Sequence, residues 1–442
     1  MKYKRDMLLS IYPPIMFYNK EDVKKIWEIE RPRQTPNYVN IYVHIPFCPR
    51  KCDFCFLISE VSGLQKMKQY INKLVEEIEY ISQKKYLRDA QIRSITIGGG
   101  SPTILPTFLL EELFEALYRR FNIIKGETEI AIEMHPGKEV TEEKLQLLKK
   151  YNVIRISIGV ESFDDDILAL NGRNGTSEDA INTLRKLYQA GFDYVNIDII
   201  SGMLGETDKT WNYTIAKLLE MQPQEVTLYK LQLYENSKIA IKCKANGLKV
   251  MDDGQEFLFA KRFYDLLFEN GYKLSTGTYS FCKHELQHKY RKYRNQGEDL
   301  VALGVASNGI IDRCVYQNII SLEKYLETDS HITTSYCMTD EDYFYRSMVL
   351  GMRSGRIDVQ EIFNRHGINP IEFFKTELTD LQNDGYVTVS EQYIEIINNG
   401  IYFADDIIRK NFMPKEIMKM EEMMLKYRNY DLSKNKKGLI KK

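Results

Sequence analysis

Short β-branched, apolar runs recur six times along the first half of the chain, with helical stretches between them, and this alternation constrains the fold most strongly. The runs are residues 39–45, 92–97, 129–134, 154–158, 194–200 and 225–231. The stretches 66–83, 107–121, 141–151 and 177–190 carry apolar residues at i, i+3 and i+4, the spacing of an amphipathic helix. Strand–helix alternation predicts parallel strands joined by right-handed crossovers. Six units predict an α/β partial barrel, (β/α)6, open on one side, with chemistry at the C-terminal ends of its strands. A doubly wound sheet would satisfy the same alternation.

From about residue 341 the pattern changes. Helical spans at 341–353, 359–365 and 370–383 precede two short strands, 386–389 and 393–396, which flank 390–392 as the strands of a winged-helix wing do. The reading divides the chain into an extension (1–38), the barrel with its additions (39–325) and a mostly helical, winged-helix-like domain (326–442). That last segment is not basic enough for DNA, so its expected role is packing or a substrate lid. Its end, 433–442, carries five lysines and reads as a solvated tail.

Charge excludes more than it suggests. The 61 basic residues nearly cancel the 62 acidic ones, so no global field favours nucleic acid or an acidic membrane surface. Apolar residues make up 43% of the chain, enough for a buried core. No apolar run approaches a membrane span, and the first ten residues lack a signal-peptide core, so a cytoplasmic protein is expected.

Seven cysteines are present, and three of them, Cys48, Cys52 and Cys55, fall within eight residues directly after the first predicted strand. Cys243, Cys282, Cys314 and Cys337 are scattered singly and read as reduced thiols. Two metal readings fit the crowded three. A structural zinc site needs a fourth ligand, for which His44 is the nearby candidate. A cubane iron–sulfur cluster held by three cysteines leaves one iron open to a small molecule, unlike the four-cysteine clusters of electron transfer.

Other candidates lie at the same predicted rim. Gly98-Gly-Gly100-Ser-Pro-Thr103 ends the second strand, where glycines let the backbone approach a ligand; such runs also simply make tight turns. Glu133 closes the third run, and Arg155, Glu161, Arg173 and Asp198 fall around the fourth and fifth. Each alone is an ordinary paired charge; together on one rim they point to a site, because unpaired charge facing a barrel mouth is costly.

With an aromatic residue before the third cysteine, Cys48-Pro-Arg-Lys-Cys52-Asp-Phe-Cys55 resembles the radical S-adenosylmethionine superfamily. More narrowly, Tyr42-Val-His-Ile-Pro-Phe-Cys48, the GGGSPT turn, Ile132-Glu-Met-His-Pro136, Arg155-Ile-Ser-Ile-Gly-Val160 and Asn196-Ile-Asp-Ile-Ile200 resemble oxygen-independent coproporphyrinogen III oxidase and its relatives. The likeness runs in order from Tyr42 to Asn318. It implies a [4Fe–4S] cluster on Cys48, Cys52 and Cys55 and displaces the zinc reading. The fourth iron would bind S-adenosylmethionine, whose reductive cleavage releases a 5′-deoxyadenosyl radical. It further implies Tyr42, Phe54, Gly99 and Glu133 as contacts to that molecule. Gly100, Ser101, Glu161, Arg173 and Asp198, with Gln232 and Asn308, are implied for a second S-adenosylmethionine. An electron donor such as flavodoxin or ferredoxin is implied as partner.

Departures from the oxidase pattern point elsewhere within the superfamily. The oxidases carry a further cysteine where this chain has Leu57, and a glutamine where it has Glu161. Gly202-Met-Leu-Gly205 lacks the usual proline; haem chaperones have His-Asn-x-x-Tyr-Trp where Arg294-Asn-Gln-Gly-Glu-Asp299 stands, and haem-degrading relatives have glycine in place of Phe56. Aromatic residues after the third cysteine, with Leu228-Tyr-Lys-Leu-Gln232 and Val315-Tyr-Gln-Asn318, look like the class C radical methyltransferases and cyclopropanases. The expectation is therefore a two-S-adenosylmethionine C-methyltransferase or cyclopropanase acting on an unsaturated small molecule or peptide. The alternatives are a tetrapyrrole oxidase, a haem-degrading methyltransferase or a haem chaperone.

Overall fold

The computed structural model describes residues 2–5, 12–27, 37–88, 90–234, 237–283, 288–329 and 331–428. Its centre is one large sheet whose parallel part follows the expected alternation. Strands β1 (Tyr38–Ile45), β2 (Gln91–Gly99), β3 (Glu129–Met134), β4 (Val153–Glu161), β5 (Tyr194–Ser201) and β6 (Glu225–Lys230) lie side by side in chain order. Between them run α1 (Leu64–Ser82), α2 (Thr107–Arg120), α3 (Glu142–Lys150), α4 (Ser177–Gln189) and α5 (Asp208–Met221). The expected α/β architecture is present, and the doubly wound order is not: β1 pairs β2, and each later strand adds to one side.

Helix starts are written in the sequence. Thr141 caps α3 by accepting the Lys144 N–H, and Thr176 forms a capping box with Asp179 at α4. Beyond the six strands the chain adds what the alternation did not announce. β7 (Ser280–Cys282) runs antiparallel to β6, and α7 (Lys289–Asn295) lies against β1 and β2. β8 (Leu300–Leu303) is a seventh parallel strand on the free side of β1. Antiparallel β9 (Asn308–Ile311), β10 (Cys314–Asn318) and β11 (Ile332–Cys337) continue from it.

Two of the four cysteines read as reduced are not. Cys314 and Cys337 stand directly opposite each other in β10 and β11, with Cα atoms 4.0 Å apart, and are joined as a disulfide. Sequence separation hid this, because strand pairing and not spacing along the chain brings them together. Cys243 and Cys282 are buried and take no part in that disulfide.

The C-terminal part begins with α8 (Asp340–Arg353) and contains a three-stranded sheet, in which Tyr393–Ile396 lies between Arg356–Asp358 and Val387–Val389. The helix expected over 370–383 is two, Pro370–Phe373 and Lys375–Asn383, because Phe374 leaves helical geometry at φ −104° and ψ 28°. The lysine-rich tail 433–442 lies outside the described residues. Among the described residues, no helix is long and apolar enough to cross a membrane.

The faces of the parallel strands differ in chemistry. Val39, Ile41, Val43 and Ile45 of β1, with Ile130, Ile132, Ile156, Ile158, Ile197, Ile199, Val226 and Leu228, form one buried aliphatic face. The alternate residues are polar and join strand to strand. Ser94 donates to Asn40 Oδ1 at 2.6 Å, Asn196 donates to Ser157 Oγ at 2.8 Å, and Thr227 donates to Asn196 Oδ1 at 3.0 Å. Arg155 Nε reaches Glu225 Oε2 at 2.8 Å, bridging β4 to β6 across β5. The concave side is thus a polar chamber, tied by its own hydrogen bonds.

One buried acid ties α1 to the strand ends of β8 and β10. Glu77 on α1 accepts hydrogen bonds from Gly304 N at 2.8 Å, Asn318 Nδ2 at 2.9 Å and Tyr325 OH at 2.5 Å. Burial raises its carboxyl to about 7 against those bonds. Replacing Glu77 by alanine strands all three donors and should lower unfolding stability by about 3 kcal/mol, read by urea titration. A loss below about 0.5 kcal/mol would show the joint to be incidental.

Candidate functional site

All three clustered cysteines sit in the loop after β1, where the strand's C-terminal end meets the chamber. The loop is held by backbone bonds: Cys48 N to Glu60 O at 3.0 Å, Asp53 N to Asn171 O at 3.2 Å and Cys55 N to Cys52 O at 3.2 Å. Arg173 Nη1 stands 3.4 Å from Cys52 Sγ, so a fixed cation already faces the thiols. Burial pushes the Cys48 thiol up to about 11 and raises Cys55, and each is raised further by its neighbouring thiols. Such crowding of groups that ligate as anions makes sense around a metal centre that supplies positive charge.

Among the described residues, no three His, Cys, Asp or Glu side chains converge on a point that one metal ion could occupy. Cys48 and Cys55 each feel the charge of a neighbouring thiol in the loop. His44 is committed elsewhere: its ring nitrogens face Ile58 O at 3.0 Å and the Tyr42 hydroxyl at 3.3 Å. It does not complete a mononuclear site.

The glycine turn is shaped to this loop. Gly99 has φ +112°, and a Cβ there would meet the His44 ring at 2.7 Å. At Gly100 a Cβ would stand 2.4 Å from Phe47 O and 3.0 Å from Cys48 Sγ. Gly99 N donates to Glu133 Oε2 at 3.1 Å, which ties β2 to the β3 acid. Ser101 is buried and committed: its Oγ accepts His135 N at 3.0 Å.

Three carboxylates share the chamber wall. Glu133 is raised to about 7 by burial and then by Asp198, against the Gly99 N–H and Arg155. Glu161 is raised to about 7 by burial and by Asp198, although Arg173 Nη2 lies 3.5 Å from Oε1. Asp198 is raised by burial, while accepting from Ser157 Oγ at 3.0 Å and Asn196 Nδ2 at 2.9 Å. Glu161 adopts φ +69° where β4 slips register against β5, a strained conformation of the kind that gathers at functional sites. Tyr42 lies on β1 with its hydroxyl toward His44, and Phe54 packs against the apolar cluster of Ile167, Ile200, Met203, Leu204 and Leu231. Gln232 lies just past β6 and buries an Oε1 that has no hydrogen-bond partner among the described residues. Asn308 bonds to Ala306 O and Gln317 Nε2 in the antiparallel extension.

Comparison with known proteins reads this arrangement directly. The model of the Radical SAM superfamily matches residues 42–218, from the inward Tyr42 through the cysteine loop to α5. Residues 42–218 are a Radical SAM superfamily domain. Such a domain implies a [4Fe–4S] cluster and S-adenosylmethionine, and the three-thiol loop fits the first. Over 382 residues the chain is 25% identical to the heme chaperone HemW of Lactococcus lactis, covering 85% of this chain and 97% of that one. Over 418 residues it is 25% identical to the oxygen-independent coproporphyrinogen III oxidase of Salmonella typhimurium, covering 88% of each. The solved Escherichia coli coproporphyrinogen III oxidase superposes with a TM-score of 0.80 at 22% identity, over 93% of this chain and all of that one.

These relatives overturn the methyltransferase and cyclopropanase reading. The short stretches that carried it serve the sheet. Leu228 belongs to the aliphatic face, the Tyr316 hydroxyl accepts Ala302 N at 2.9 Å, and Asn318 is bound to Glu77, Gly304 and Ser307. Sequence reading also missed the residues opposite the acids, Tyr229, Tyr279 and Arg291. Their signal was present in the alternation Glu225, Thr227, Tyr229 and in the basic–aromatic stretch Lys289–Asn295, which no predicted unit contained.

Two outcomes are expected from this geometry. Gly100→Ala should cut reconstituted iron well below about four per chain, as Cys48→Ala does, because its Cβ displaces the thiol loop. Cys243→Ala should retain iron, and equal loss there would break the assignment. Glu133→Gln bears on pH. The folded carboxyl titrates near 7 and the unfolded one near 4.5, so the folded state holds the extra proton and stability falls as pH rises between them. The glutamine variant of the apoprotein should therefore gain on the order of 2 kcal/mol at pH 8 and little at pH 4, by chemical denaturation at each pH.

Proposed function

We propose that this chain is a radical S-adenosylmethionine enzyme whose substrate is a carboxylate-bearing tetrapyrrole, taken into the polar chamber of the barrel. The observation that supports it is the chamber's chemistry. A cluster loop, three acids and buried guanidinium groups face one space, and full-length relatives are named for coproporphyrinogen and heme. Bound at Cys48, Cys52 and Cys55, the cluster with S-adenosylmethionine supplies a carbon radical able to take hydrogen from an unactivated C–H bond.

The chain's own residues orient and shield. Tyr42, Phe54, Gly99 and Glu133 are proposed as contacts to the S-adenosylmethionine beside the cluster, with Glu133 facing its ammonium. Glu161, Arg173 and Asp198, with Gly100, Ser101, Gln232 and Asn308, are proposed to hold a second S-adenosylmethionine as a bound partner. Arg173 is placed to steady the Cys52 thiolate as well as Glu161. The exposed apolar residues Phe56, Leu57 and Ile58 beside the cysteines leave this loop reachable for an electron donor such as flavodoxin or ferredoxin. The divisions 1–38, 39–325 and 326–442 are kept as proposed functional units.

The experiment is anaerobic incubation of reconstituted protein with S-adenosylmethionine, a reductant and coproporphyrinogen III, followed by mass spectrometry. The reading predicts 5′-deoxyadenosine together with a mass change in the tetrapyrrole. Glu133→Gln should weaken S-adenosylmethionine binding about tenfold, the worth of one charge-assisted hydrogen bond. Stoichiometric haem binding with no cleavage of S-adenosylmethionine under any condition would make the chain a carrier and sink the enzyme reading.

A further inference from the structure

The buried cations of this fold are answered to different degrees, and Arg346 and Arg409 outside the chamber also leave a guanidinium nitrogen without a hydrogen bond among the described residues. Arg155 has Glu225, and Arg5 has Glu256, Ser201 and the Leu228 carbonyl. Two on one wall are answered incompletely. Arg291, on α7, buries its Nη1 with no hydrogen-bond acceptor among the described residues. Arg353, at the end of α8 with its side chain 8% exposed, buries an Nε that likewise has none. Its nearest carboxylate oxygen, on Asp405, stands 3.6 Å away.

One phenol joins the pair. Tyr279, just before β7, has the Arg291 guanidinium 5.4 Å and the Arg353 guanidinium 6.0 Å from its ring centroid. Its hydroxyl accepts from Arg353 Nη2 at 3.2 Å. Tyr229 lies alongside with ring centroids 6.0 Å apart, on the chamber face of β6. A guanidinium nitrogen stripped of water and left without an acceptor costs free energy, so a wall holding two of them is arranged for an anion not yet present. The nearby acids do not serve: Glu225 is taken by Arg155 and Ser280, and Asp198 by Ser157 and Asn196.

We infer that Arg291 and Arg353, with the phenols of Tyr279 and Tyr229, form a carboxylate-binding subsite that holds a side-chain carboxylate of the substrate. The guanidinium plane presents paired donors that match a carboxylate. The position suits the role. Tyr229 and Phe54 of the cysteine loop both pack against the apolar cluster of Ile167, Ile200, Met203, Leu204 and Leu231, which ties the subsite's phenol and the cysteine loop to one element of packing. Arg291 also offsets the charge of Glu133 and Asp198, so the subsite stands within electrostatic reach of the chamber's acids. The inference rests on the tetrapyrrole reading and adds the wall that orients the ring.

The test uses the full reconstituted protein and fluorescence titration with coproporphyrin III, which carries four propionates, and with etioporphyrin, which carries none. Arg291→Ala should weaken coproporphyrin III binding about tenfold or more and leave etioporphyrin binding where it is. Arg291→Lys should recover part of the loss, and Tyr279→Phe should cost about threefold or more. Iron content and the urea midpoint of each variant control for folding. If Arg291→Ala and Tyr279→Phe both bind coproporphyrin III as the parent does, the subsite is wrong while the tetrapyrrole reading stands. If the parent binds neither porphyrin, the tetrapyrrole reading fails first and the subsite with it. If Arg291→Ala loses affinity for S-adenosylmethionine and not for coproporphyrin III, the carboxylate bound there is the methionine one, and the inference is overturned.

Discussion

The two-residue period of six parallel strands governs everything else in this molecule. Every second side chain is aliphatic and buried, and most of those between are polar or glycine, among them Asn40, Ser94, Glu133, Arg155, Ser157, Asn196, Asp198 and Thr227. A sheet so divided cannot fill its concave side with apolar packing as a closed eight-stranded barrel does. It must satisfy that side with hydrogen bonds or with a ligand. Asn196, Ser157, Thr227 and Arg155 do the former, joining β4, β5 and β6. Glu133, Glu161, Asp198 and Arg291 are proposed to serve the latter.

That division has an energetic cost. Carboxyls held near 7 by burial are groups the fold would be more stable without at neutral pH. A strained Glu161 and stranded guanidinium nitrogens add to the penalty. Stability is recovered on the other face, where aliphatic strands pack under helices, and at buried joints such as Glu77 with Tyr325 and Asn318. The chamber is therefore preorganised for charge before any ligand arrives, the arrangement electrostatic binding requires.

Much of this was legible in the chain. The six strands, their parallel order and the thiol loop follow from periodicity and from three cysteines in eight residues. What was not legible depends on contacts between distant segments. β8 is too short to stand out from its surroundings and gains meaning only beside β1. Cys314 and Cys337 look like isolated thiols until β10 and β11 pair. The motif around Val315 suggested a reaction class, yet Tyr316 and Asn318 act as braces within the sheet. Arg291 lies in a seven-residue helix between the last predicted strand and the C-terminal part, where no periodic signal marks an inward face.

The central claim is that a radical formed at the Cys48, Cys52 and Cys55 loop takes hydrogen from a tetrapyrrole held in the chamber. Coproporphyrinogen III deuterated in its propionate side chains tests this most directly, with unlabelled S-adenosylmethionine and the mass of 5′-deoxyadenosine as readout. The account predicts deuterium in 5′-deoxyadenosine, because abstraction requires that carbon to sit within about 4 Å of the radical. Unlabelled 5′-deoxyadenosine during turnover of the deuterated tetrapyrrole would contradict it.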